Sequence, residues 1–541
     1  MSKGTRRDSD SHPARARGGR LTLLVSVAAL GAAIVFAFLL LTTHSVPTPP
    51  APTLAVTAGA QRATLDSLPC WFSPPADRKA QCGVLRVPER RDGAPSRELG
   101  LRFTVLSPAT AATADPVVYI SGGPGEPAQI DAASISYWWN WIDREPWLRD
   151  RDLVLFDQRG VGVSEPSMNC PELVTAAHTV LQKSLPLDAS NAVWAAAAGT
   201  CHDRLAASGI DLQSYNTTAI AADLKDLLTE LGYRSPVLLA NSYGTRVALR
   251  LAADPTVGIA GMILDAPDPP EARDYVESAA NGAAAFAALF QSCAADPSCH
   301  DAFPSLAADF DRIVDHAAVA PLQVTVSDSK GGTFAAQLDD AKLVETLFYA
   351  FYDWRRLQEV PAIIEALAQG DDRALSPLVR LGLDNYDREG ASLGLFLSVE
   401  CHDDFFFNSR DDIERAAAAV PRFRKFALSN LPLAACPAWP VGRAGEAEHA
   451  PLTRDIPMLL FAGELDPATP PRWAESVQAR LPHAYLFKFP SIGHGVLGAQ
   501  ACASRLVGRF LADLTRRPTE DCLLLALGPP RFRKVAAVEA K

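Results

Sequence analysis

Six short apolar runs, each followed by a glycine-rich or polar turn, limit the fold of this chain more than any other feature. The runs are PVVYI before SGGPGEP, LVLF before DQRGVGVSEP, PVLLA before NSYGT, GMILD before APDPP, PMLLFAGELDP and AYLFKFPSIGHG. Short continuous apolar runs are typical of parallel strands that are covered on both faces. Helical periodicity lies between them, as in residues 219–231, so the pattern predicts an α/β, doubly wound, mostly parallel sheet.

The same alternation divides the chain into segments. GVLRVPER and ELGLRFTVL predict two early antiparallel strands, and we expect the α/β core to comprise residues 61–270 and 451–525. Between these two parts, residues 271–450 are rich in Ala and mostly helical in pattern. Sites in open α/β sheets form at the carboxyl ends of the strands. We therefore expect a helical cap insertion over the site, with residues 526–541 as a C-terminal tail.

The N-terminus predicts a membrane anchor. Residues 1–20 carry six Lys or Arg against two Asp, and residues 21–42 contain no charged residue. About 20 apolar residues span a bilayer as a helix, and a basic flank stays in the cytoplasm. We expect an uncleaved transmembrane anchor, a Pro-rich linker over residues 43–60, and a domain in the periplasm or at the cell surface. The alternative is a cleaved signal peptide, with AGA at residues 58–60, which would release a secreted domain.

The cysteines agree with an exported domain. All ten follow the apolar segment, and an even number in that compartment predicts disulfides. The simplest pairing joins neighbours in the sequence, namely 70–82, 170–201, 293–299, 401–436 and 502–522. A metal site around residues 401–404 is the rival interpretation, although adjacent residues rarely converge on one ion.

The composition excludes several classes of protein. Hydrophobic residues make up 48% of the chain, which excludes global disorder. The formal net charge of −11 disfavours nucleic acid as a partner. The sequence contains no P-loop, no zinc-finger spacing and no dinucleotide fingerprint, so no metal or organic cofactor is implied. The oligomeric state stays open.

The segment PVLLANSYGTRVALRLA predicts a catalytic nucleophile. An apolar strand runs into Ser242 and then directly into a helical pattern, which is the context of a nucleophile elbow. Small residues are needed two positions before and two after the serine, and Ala240 and Gly244 stand there. The other interpretation of this fragment is an ordinary Asn-Ser turn.

A serine hydroxyl needs a base, and the base needs an orienting acid. In this architecture the acid and then the histidine follow the serine along the chain. Asp466 comes just after one apolar strand and His494 just after the next. The order and context predict a Ser242, Asp466 and His494 triad at one edge of the sheet.

Acyl transfer also needs hydrogen-bond donors for the oxyanion. SGGPGEP follows the first core strand, where such donors belong, and its glycines allow the backbone to approach a substrate closely. The candidate donors are the N–H groups of Gly123, with Gly122 as alternate, and of Tyr243. The alternative is a phosphate-binding loop, but no lysine follows it.

Together these segments resemble the α/β-hydrolase peptidases related to proline iminopeptidase, specifically the bacterial tripeptidyl aminopeptidases. The similarity covers about residues 70–522 and includes SGGPGEP, DQRGVGVSEP, ANSYGTRVAL, MILDAPDPP, ELDPATPP and IGHG. It departs from the family at Ser121, where histidine is usual, and at Ala240, where glycine is usual. The resemblance implies an α/β-hydrolase fold and a serine aminopeptidase that releases proline or short peptides from free N-termini through an acyl-enzyme.

An aminopeptidase must bind the ammonium group of its substrate, and a carboxylate in a covered site would do so. The candidates are Glu126, beside the SGGPGEP loop, and Glu400 with Asp403, in SVECHDD of the insertion. The family uses acids of the cap in this role, which favours Glu400. The other interpretation of each acid is an ordinary surface or structural role.

Two functions compete with the aminopeptidase. An esterase or lipase-like hydrolase would act on a small ester or amide with the same triad but without an amine-binding acid. A non-catalytic surface-binding protein would not react with a fluorophosphonate probe, and the intact triad argues against it. Epoxide hydrolase or dehalogenase chemistry would need a carboxylate in place of Ser242.

Overall fold

All six apolar runs form strands of one sheet. In the computed structural model, which describes residues 62–327 and 332–523 together with Phe532, nine strands have the order β1-β2-β3-β5-β4-β6-β7-β10-β11. The strands are β1 (Thr64–Leu68), β2 (Lys79–Pro88), β3 (Glu98–Ser107), β4 (Val117–Ile120), β5 (Leu153–Phe156), β6 (Val237–Asn241), β7 (Gly261–Asp265), β8 (Leu322–Ser327), β9 (Thr333–Leu338), β10 (Met458–Gly463) and β11 (Ala484–Phe489). β2 and β3 pair antiparallel, as predicted, and β1 adds to β2 as a further antiparallel strand that was not predicted. β3 pairs antiparallel with β5, and the strands from β5 to β11 of the large sheet pair parallel.

The parallel strands are apolar throughout because both faces of the sheet are covered. In β6, Leu238 and Ala240 belong to one apolar core, while Val237 and Leu239 belong to the core on the opposite face. Successive side chains of a strand point to opposite faces, so a strand between two layers of helices has no position that suits a polar residue. This explains the continuous apolar runs of the sequence.

Helices cover both faces of the sheet and form most of the insertion. The helices are α1 (Ser136–Arg144), α2 (Pro171–Gln182), α3 (Leu187–Ala207), α4 (Thr217–Glu230), α5 (Tyr243–Ala252), α6 (Asp274–Ala295), α7 (Pro297–Ala302), α8 (Leu306–Val319), α9 (Asp340–Tyr349), α10 (Trp354–Leu357), α11 (Val360–Ala368), α12 (Ser376–Asp387), α13 (Leu393–Val399), α14 (Arg410–Ala418), α15 (Pro421–Leu428), α16 (Leu431–Ala435), α17 (Pro471–Arg480) and α18 (Ala501–Ala512). Short 3₁₀ turns occupy Pro146–Leu148, Leu212–Ser214, Ala350–Tyr352, Arg373–Leu375, Cys436–Ala438 and Glu446–Glu448, and a π-helical turn occupies Glu400–Asp404.

The helix predicted over residues 219–231 is α4. It begins after Asn216, whose side chain accepts a hydrogen bond of 2.9 Å from the backbone N–H of Ala219. It ends just before Gly232, which has a φ of 76°. A side-chain acceptor at the start and a left-handed glycine after the end are the usual signals that bound a helix.

The chain between β7 and β10 forms the insertion. Besides helices it contains the antiparallel pair β8 and β9, which the sequence analysis did not predict. Only alternate residues of this pair are buried, among them Val324 and Val326, so its apolar signal is weaker than that of the core strands. The insertion also has its own apolar core, in which Phe286 packs against Phe351 and Phe423 with ring centroids 4.9 and 5.5 Å apart.

All ten cysteines form disulfides. The pairs are Cys70–Cys82, Cys170–Cys201, Cys293–Cys299, Cys401–Cys436 and Cys502–Cys522. The predicted pairing of sequence neighbours is therefore confirmed. Because Cys401 is bonded to Cys436, its sulfur is not available as the thiolate ligand of the rival metal site.

The N-terminal predictions concern residues that the structure does not describe. The predicted basic tail, the anchor over residues 21–42 and the linker over residues 43–60 all lie outside the described part of the chain. Among the residues that are described, no helix is both long enough and apolar enough to cross a bilayer.

Candidate active site

Ser242 stands at a sharp turn between β6 and α5. Its backbone has a φ of 53° and a ψ of −131°, values that a residue with a side chain adopts at an energetic cost. A Cβ on Gly244 would lie 2.4 Å from the carbonyl oxygen of Ile120, so only glycine fits there. Ala240 is fully buried beside Ile120 in the sheet register, which shows that the turn accommodates its methyl group.

Asp466 and His494 meet at the same edge of the sheet. Nδ1 of His494 lies 2.9 Å from Oδ2 of Asp466, and both side chains are buried. The other carboxylate oxygen of Asp466 accepts backbone N–H groups of Ala468 and Thr469 at 2.8 and 2.9 Å. The Thr469 hydroxyl donates to Oδ2 at 2.8 Å and lies 3.3 Å from the His494 ring nitrogen. The acid is thus held in one orientation toward the histidine.

The surroundings of His494 tune its basicity. Burial of the ring disfavours the charged form, but the charge and hydrogen bond of Asp466, with more distant Asp265 and Glu126, outweigh burial and raise the pKa of His494 above 6.5. A base whose charged form is stabilised in this way can accept a proton from a hydroxyl and return it to a leaving group.

Asp265 connects the turn at Ser242 to the loop that follows His494, a role that no sequence pattern predicted. Its carbonyl accepts the backbone N–H of Ser242 at 2.9 Å. Its buried carboxylate accepts the N–H groups of Val496 and Leu497 at distances of 2.8 to 3.0 Å. Burial raises the pKa of this carboxyl to about 6. The one signal in the sequence was an acidic residue that ends an otherwise apolar run, GMILD.

Tyr352 of the insertion contacts the proposed base. Its ring centroid lies 4.6 Å from that of His494, yet 44% of the residue remains exposed. An exposed aromatic ring against a buried histidine marks the open side of the site. No pattern in the sequence predicted a role for this tyrosine.

The predicted oxyanion donors lie beside Ser242. A Cβ on Gly122 would lie 3.2 Å from the Cβ of Ser242, so the SGGPGEP loop passes directly over the serine. Within the described residues, the backbone N–H groups of Gly123 and Tyr243 make no hydrogen bond. Gly123 has a φ of 107°, a conformation that favours glycine. Two donors next to the nucleophile are therefore available to a substrate.

A cluster of buried carboxylates lies around Arg246 on the same helix as Tyr243. Arg246 donates two hydrogen bonds to Asp404 at 2.7 and 2.6 Å, and two to Asp268 at 3.1 and 2.8 Å. Asp274 lies 3.8 Å from the same guanidinium. Among the described residues, Arg246 is the one cation that pairs with these three acids, and burial raises the pKa of Asp404 and Asp274 above the usual value.

Glu400 borders this cluster and has no cation of its own among the described residues. The Tyr275 hydroxyl donates a hydrogen bond to its carboxyl group. Burial, followed by the charge of Asp404, raises the pKa of Glu400 to about 8. Nearby, Oδ1 of Asp274 is buried and lacks a hydrogen-bond partner among the described residues. A cation would favour the charged form of these carboxyl groups and would give Oδ1 of Asp274 a partner.

The other predicted acids have partners of a different kind. Glu126 is about half exposed and pairs with Arg388 of the insertion at 3.3 Å. Asp403 is buried and accepts the backbone N–H of Thr217 at 3.1 Å. The structure therefore brings Glu400 to the carboxylate cluster and gives Glu126 and Asp403 neighbours that already satisfy their charge or hydrogen bonds.

One group of side chains near the site has the composition of a metal site. Ligand atoms of His402, Asp403 and Glu448 lie within 4.8 Å of one another. These atoms already have protein partners, since Nδ1 of His402 contacts Asp403 at 2.6 Å and Glu448 accepts the N–H of Gly445 at 3.1 Å. The group is explained by hydrogen bonds and does not require an ion.

The chain is similar to known proteins in its sequence and its fold. The family described as alpha/beta hydrolase fold matches residues 115–498. Serine protease Hip1 of Mycobacterium tuberculosis is 27% identical over 485 residues, which cover 83% of this chain and 89% of the relative. Among solved structures, a proline iminopeptidase from Mycobacterium smegmatis is 15% identical with a TM-score of 0.36, covering 80% of this chain and 98% of that chain. A thermophilic esterase from Thermogutta terrifontis is 15% identical with a TM-score of 0.32, covering 80% and 99%.

Proposed function

Since the chain belongs to the alpha/beta hydrolase family, we propose that it is a serine aminopeptidase that cleaves peptides from a free N-terminus. The fold and the 27% identity to serine protease Hip1 support a serine hydrolase. The observation that carries the finer assignment is Glu400, which lies in a cluster of buried carboxylates that share Arg246. An ammonium group is the cation that a peptide substrate brings.

In the proposed reaction, His494 takes the proton of the Ser242 hydroxyl as its oxygen attacks the scissile carbonyl. Asp466 holds the imidazole in one tautomer and stabilises its positive charge. The N–H groups of Gly123 and Tyr243 bind the oxyanion, where each such donor contributes about 3 to 4 kcal/mol. His494 then protonates the leaving amine, and water activated by His494 hydrolyses the acyl-enzyme.

Glu400 would bind the ammonium group of the substrate and so make a free amine necessary. A buried carboxyl with a pKa of about 8 is largely protonated at neutral pH, and an adjacent ammonium favours its charged form. Binding of the amine therefore restores an ion pair in a covered site. Glu126 is less suited to this role because Arg388 already pairs with it.

We also propose that residues 21–42 anchor the chain in a membrane, with the catalytic domain outside the cytoplasm. The charge-free segment behind a basic flank supports the anchor. The five disulfides support an oxidising compartment. Release of the domain after cleavage near residues 58–60 would give a secreted form of the same enzyme.

A matched set of reporters tests the activity. It contains prolyl, alanyl and tripeptidyl amides with a free amine, their N-acetylated twins, and a short-chain ester. We expect turnover of the free-amine amides and not of the acetylated twins. Turnover of the ester alone, or indifference to acetylation, would identify an esterase or a general hydrolase. A fluorophosphonate probe should label the chain and fail to label Ser242→Ala, which should also lose nearly all turnover.

Glu400→Gln tests the amine site, with Glu126→Gln as the matched control. Loss of a buried charge pair costs about 2 kcal/mol or more, so kcat/KM for free-amine amides should fall about 30-fold or more. The ester, which has no ammonium, should be hydrolysed by Glu400→Gln at close to the wild-type rate. Equal losses for both kinds of substrate would remove Glu400 from the amine site.

A further inference from the structure

We infer that Thr217 is a positioning residue that fixes the spacing between the oxyanion hole and the amine site, and so determines which peptide lengths are cleaved. The inference rests on the proposed aminopeptidase function. An enzyme that holds both the free amine and the scissile carbonyl selects its substrates by the distance between those two groups. The structure links the two binding points through Thr217, by its hydroxyl on one side and its backbone N–H on the other.

The first link joins the oxyanion hole to Thr217. The backbone N–H of Tyr243 is one proposed oxyanion donor, and the side chain of the same residue is buried, with 4% exposed. Its hydroxyl lies 2.8 Å from Oγ1 of Thr217. The Tyr243 side chain therefore ties the donor to the first residue of α4.

The second link joins Thr217 to the turn that carries Glu400. The backbone N–H of Thr217 donates to Oδ2 of Asp403 at 3.1 Å. Asp403 and Glu400 lie in the same π-helical turn, Glu400–Asp404. The other oxygen of Asp403 lies 2.6 Å from Nδ1 of His402. The carboxylate of Asp403 is thus held by groups on both sides.

A direct contact between α5 and the same turn works in parallel. Arg246, one turn after Tyr243, binds both oxygens of Asp404 at 2.7 and 2.6 Å. The disulfide between Cys401 and Cys436 attaches the turn to the 3₁₀ turn that begins at Cys436. Helix α5 is therefore joined to the turn in two ways, directly through Arg246 and indirectly through the uncharged contact between Tyr243 and Thr217.

The two hydroxyl groups depend on each other. Both Thr217 and Tyr243 are buried, so removal of one hydroxyl leaves the other without its partner, which is costly in a covered site. The Tyr243 ring would then move, because its hydroxyl has lost its partner. The contacts of Arg246 with Asp404 would still hold the Glu400–Asp404 turn against α5. The predicted result is an intact enzyme in which Arg246 alone joins α5 to the turn, so that the spacing between the oxyanion hole and the amine site is less narrowly fixed.

The test uses Thr217→Val in the full chain, with Thr229→Val as the matched control. Thr229 lies on the same helix, and among the described residues its hydroxyl bonds only to the carbonyl of Lys225, at 2.8 Å. The substrates are free-amine peptides with one, two, three or four residues before an aryl-amide reporter, and a short-chain ester. The readout is kcat/KM for each length relative to the ester.

We expect Thr217→Val to lower kcat/KM for the best peptide length about tenfold more than for the ester, the effect of one weakened polar contact. The preference for that length over its neighbours should shrink at the same time. Thr217→Ser, which restores the hydroxyl, should restore the length preference. Thr229→Val should leave it unchanged. If Thr217 had a merely structural role, kcat/KM would fall by the same factor for all substrates, and the ratio between peptide lengths would not change.

Several results would overturn the inference. Parallel losses for all peptides and the ester, an unchanged length preference in Thr217→Val, or the same change in Thr229→Val would each do so. If Thr217→Val does not fold, Tyr243→Phe removes the same contact from the other side and keeps the backbone N–H. If the wild type cleaves acetylated twins as fast as free amines, the aminopeptidase proposal fails and the inference with it. If the wild type requires a free amine but Thr217→Val keeps the wild-type length preference, the aminopeptidase proposal stands and only the inference fails.

Discussion

The backbone N–H of His494 donates a hydrogen bond of 2.7 Å to the carbonyl oxygen of Phe351. Phe351 belongs to the insertion, where its ring is buried in the aromatic core, and His494 belongs to the loop after the last strand of the large sheet. Leu465, the neighbour of the proposed acid Asp466, is buried in the same apolar core. The insertion therefore does more than cover the site, because its packing sets where the base and the acid stand.

Gly493 permits this contact and should resist substitution. A Cβ at Gly493 would lie 2.1 Å from the carbonyl oxygen of Phe351, so Gly493→Ala must push the histidine loop away from the insertion. A displacement of about 1 Å at a catalytic group can lower the rate about a hundredfold, and we expect a loss of that order in kcat/KM. Gly498→Ala is the control, since a Cβ there meets nothing within 4 Å. Wild-type activity in Gly493→Ala would show that the contact does not position the base.

The pH dependence of the rate should show that the pKa of His494 is raised. The base must be neutral to accept the serine proton, and its pKa is raised above 6.5. The rate of ester hydrolysis should therefore fall as the pH decreases through a midpoint above 6.5. The ester is the correct substrate for this measurement because it has no amine that titrates.

Asp466→Asn should lower the pKa of His494, which Asp466 raises in the wild type. The substitution removes the charge that favours the imidazolium and leaves burial, the largest influence on the pKa of His494, which disfavours it. We expect NMR titration of the ring in a Ser242→Ala background to show a lower pKa when Asn replaces Asp466. An unchanged or higher pKa would mean that Asp466 is not the acid paired with His494.

Asp265 should stabilise the fold as well as the site. Asp265→Ala leaves the buried N–H groups of Val496 and Leu497 without an acceptor, at a cost of about 1 to 3 kcal/mol for each. Asp265→Asn keeps one acceptor oxygen and should lose less stability. Denaturant unfolding of the two variants measures the difference. Equal stability of wild type and Asp265→Ala would contradict this assignment.

The sequence was sufficient for features that local chemistry controls. The core strands were predictable because a strand covered on both faces must be apolar along its whole length. The order and turn context of Ser242, Asp466 and His494 placed all three at the carboxyl edge, since parallel strands end on the same side. The disulfides followed from short loops between neighbouring cysteines. The pair β8 and β9 was missed because a strand with one covered face carries a weaker apolar signal.

The amine site shows what local chemistry cannot decide. The sequence offered both Glu126 and Glu400, with the resemblance favouring Glu400, and only the fold shows that Arg388 pairs with Glu126. Arg246 and Asp404 are 158 positions apart in the chain, and no local pattern predicts that they share a buried site. Thr217, which we infer to be a positioning residue, contacts Tyr243 and Asp403, partners that come from distant segments of the chain. Its role depends on burial and distance, which exist only once the insertion has packed against the sheet.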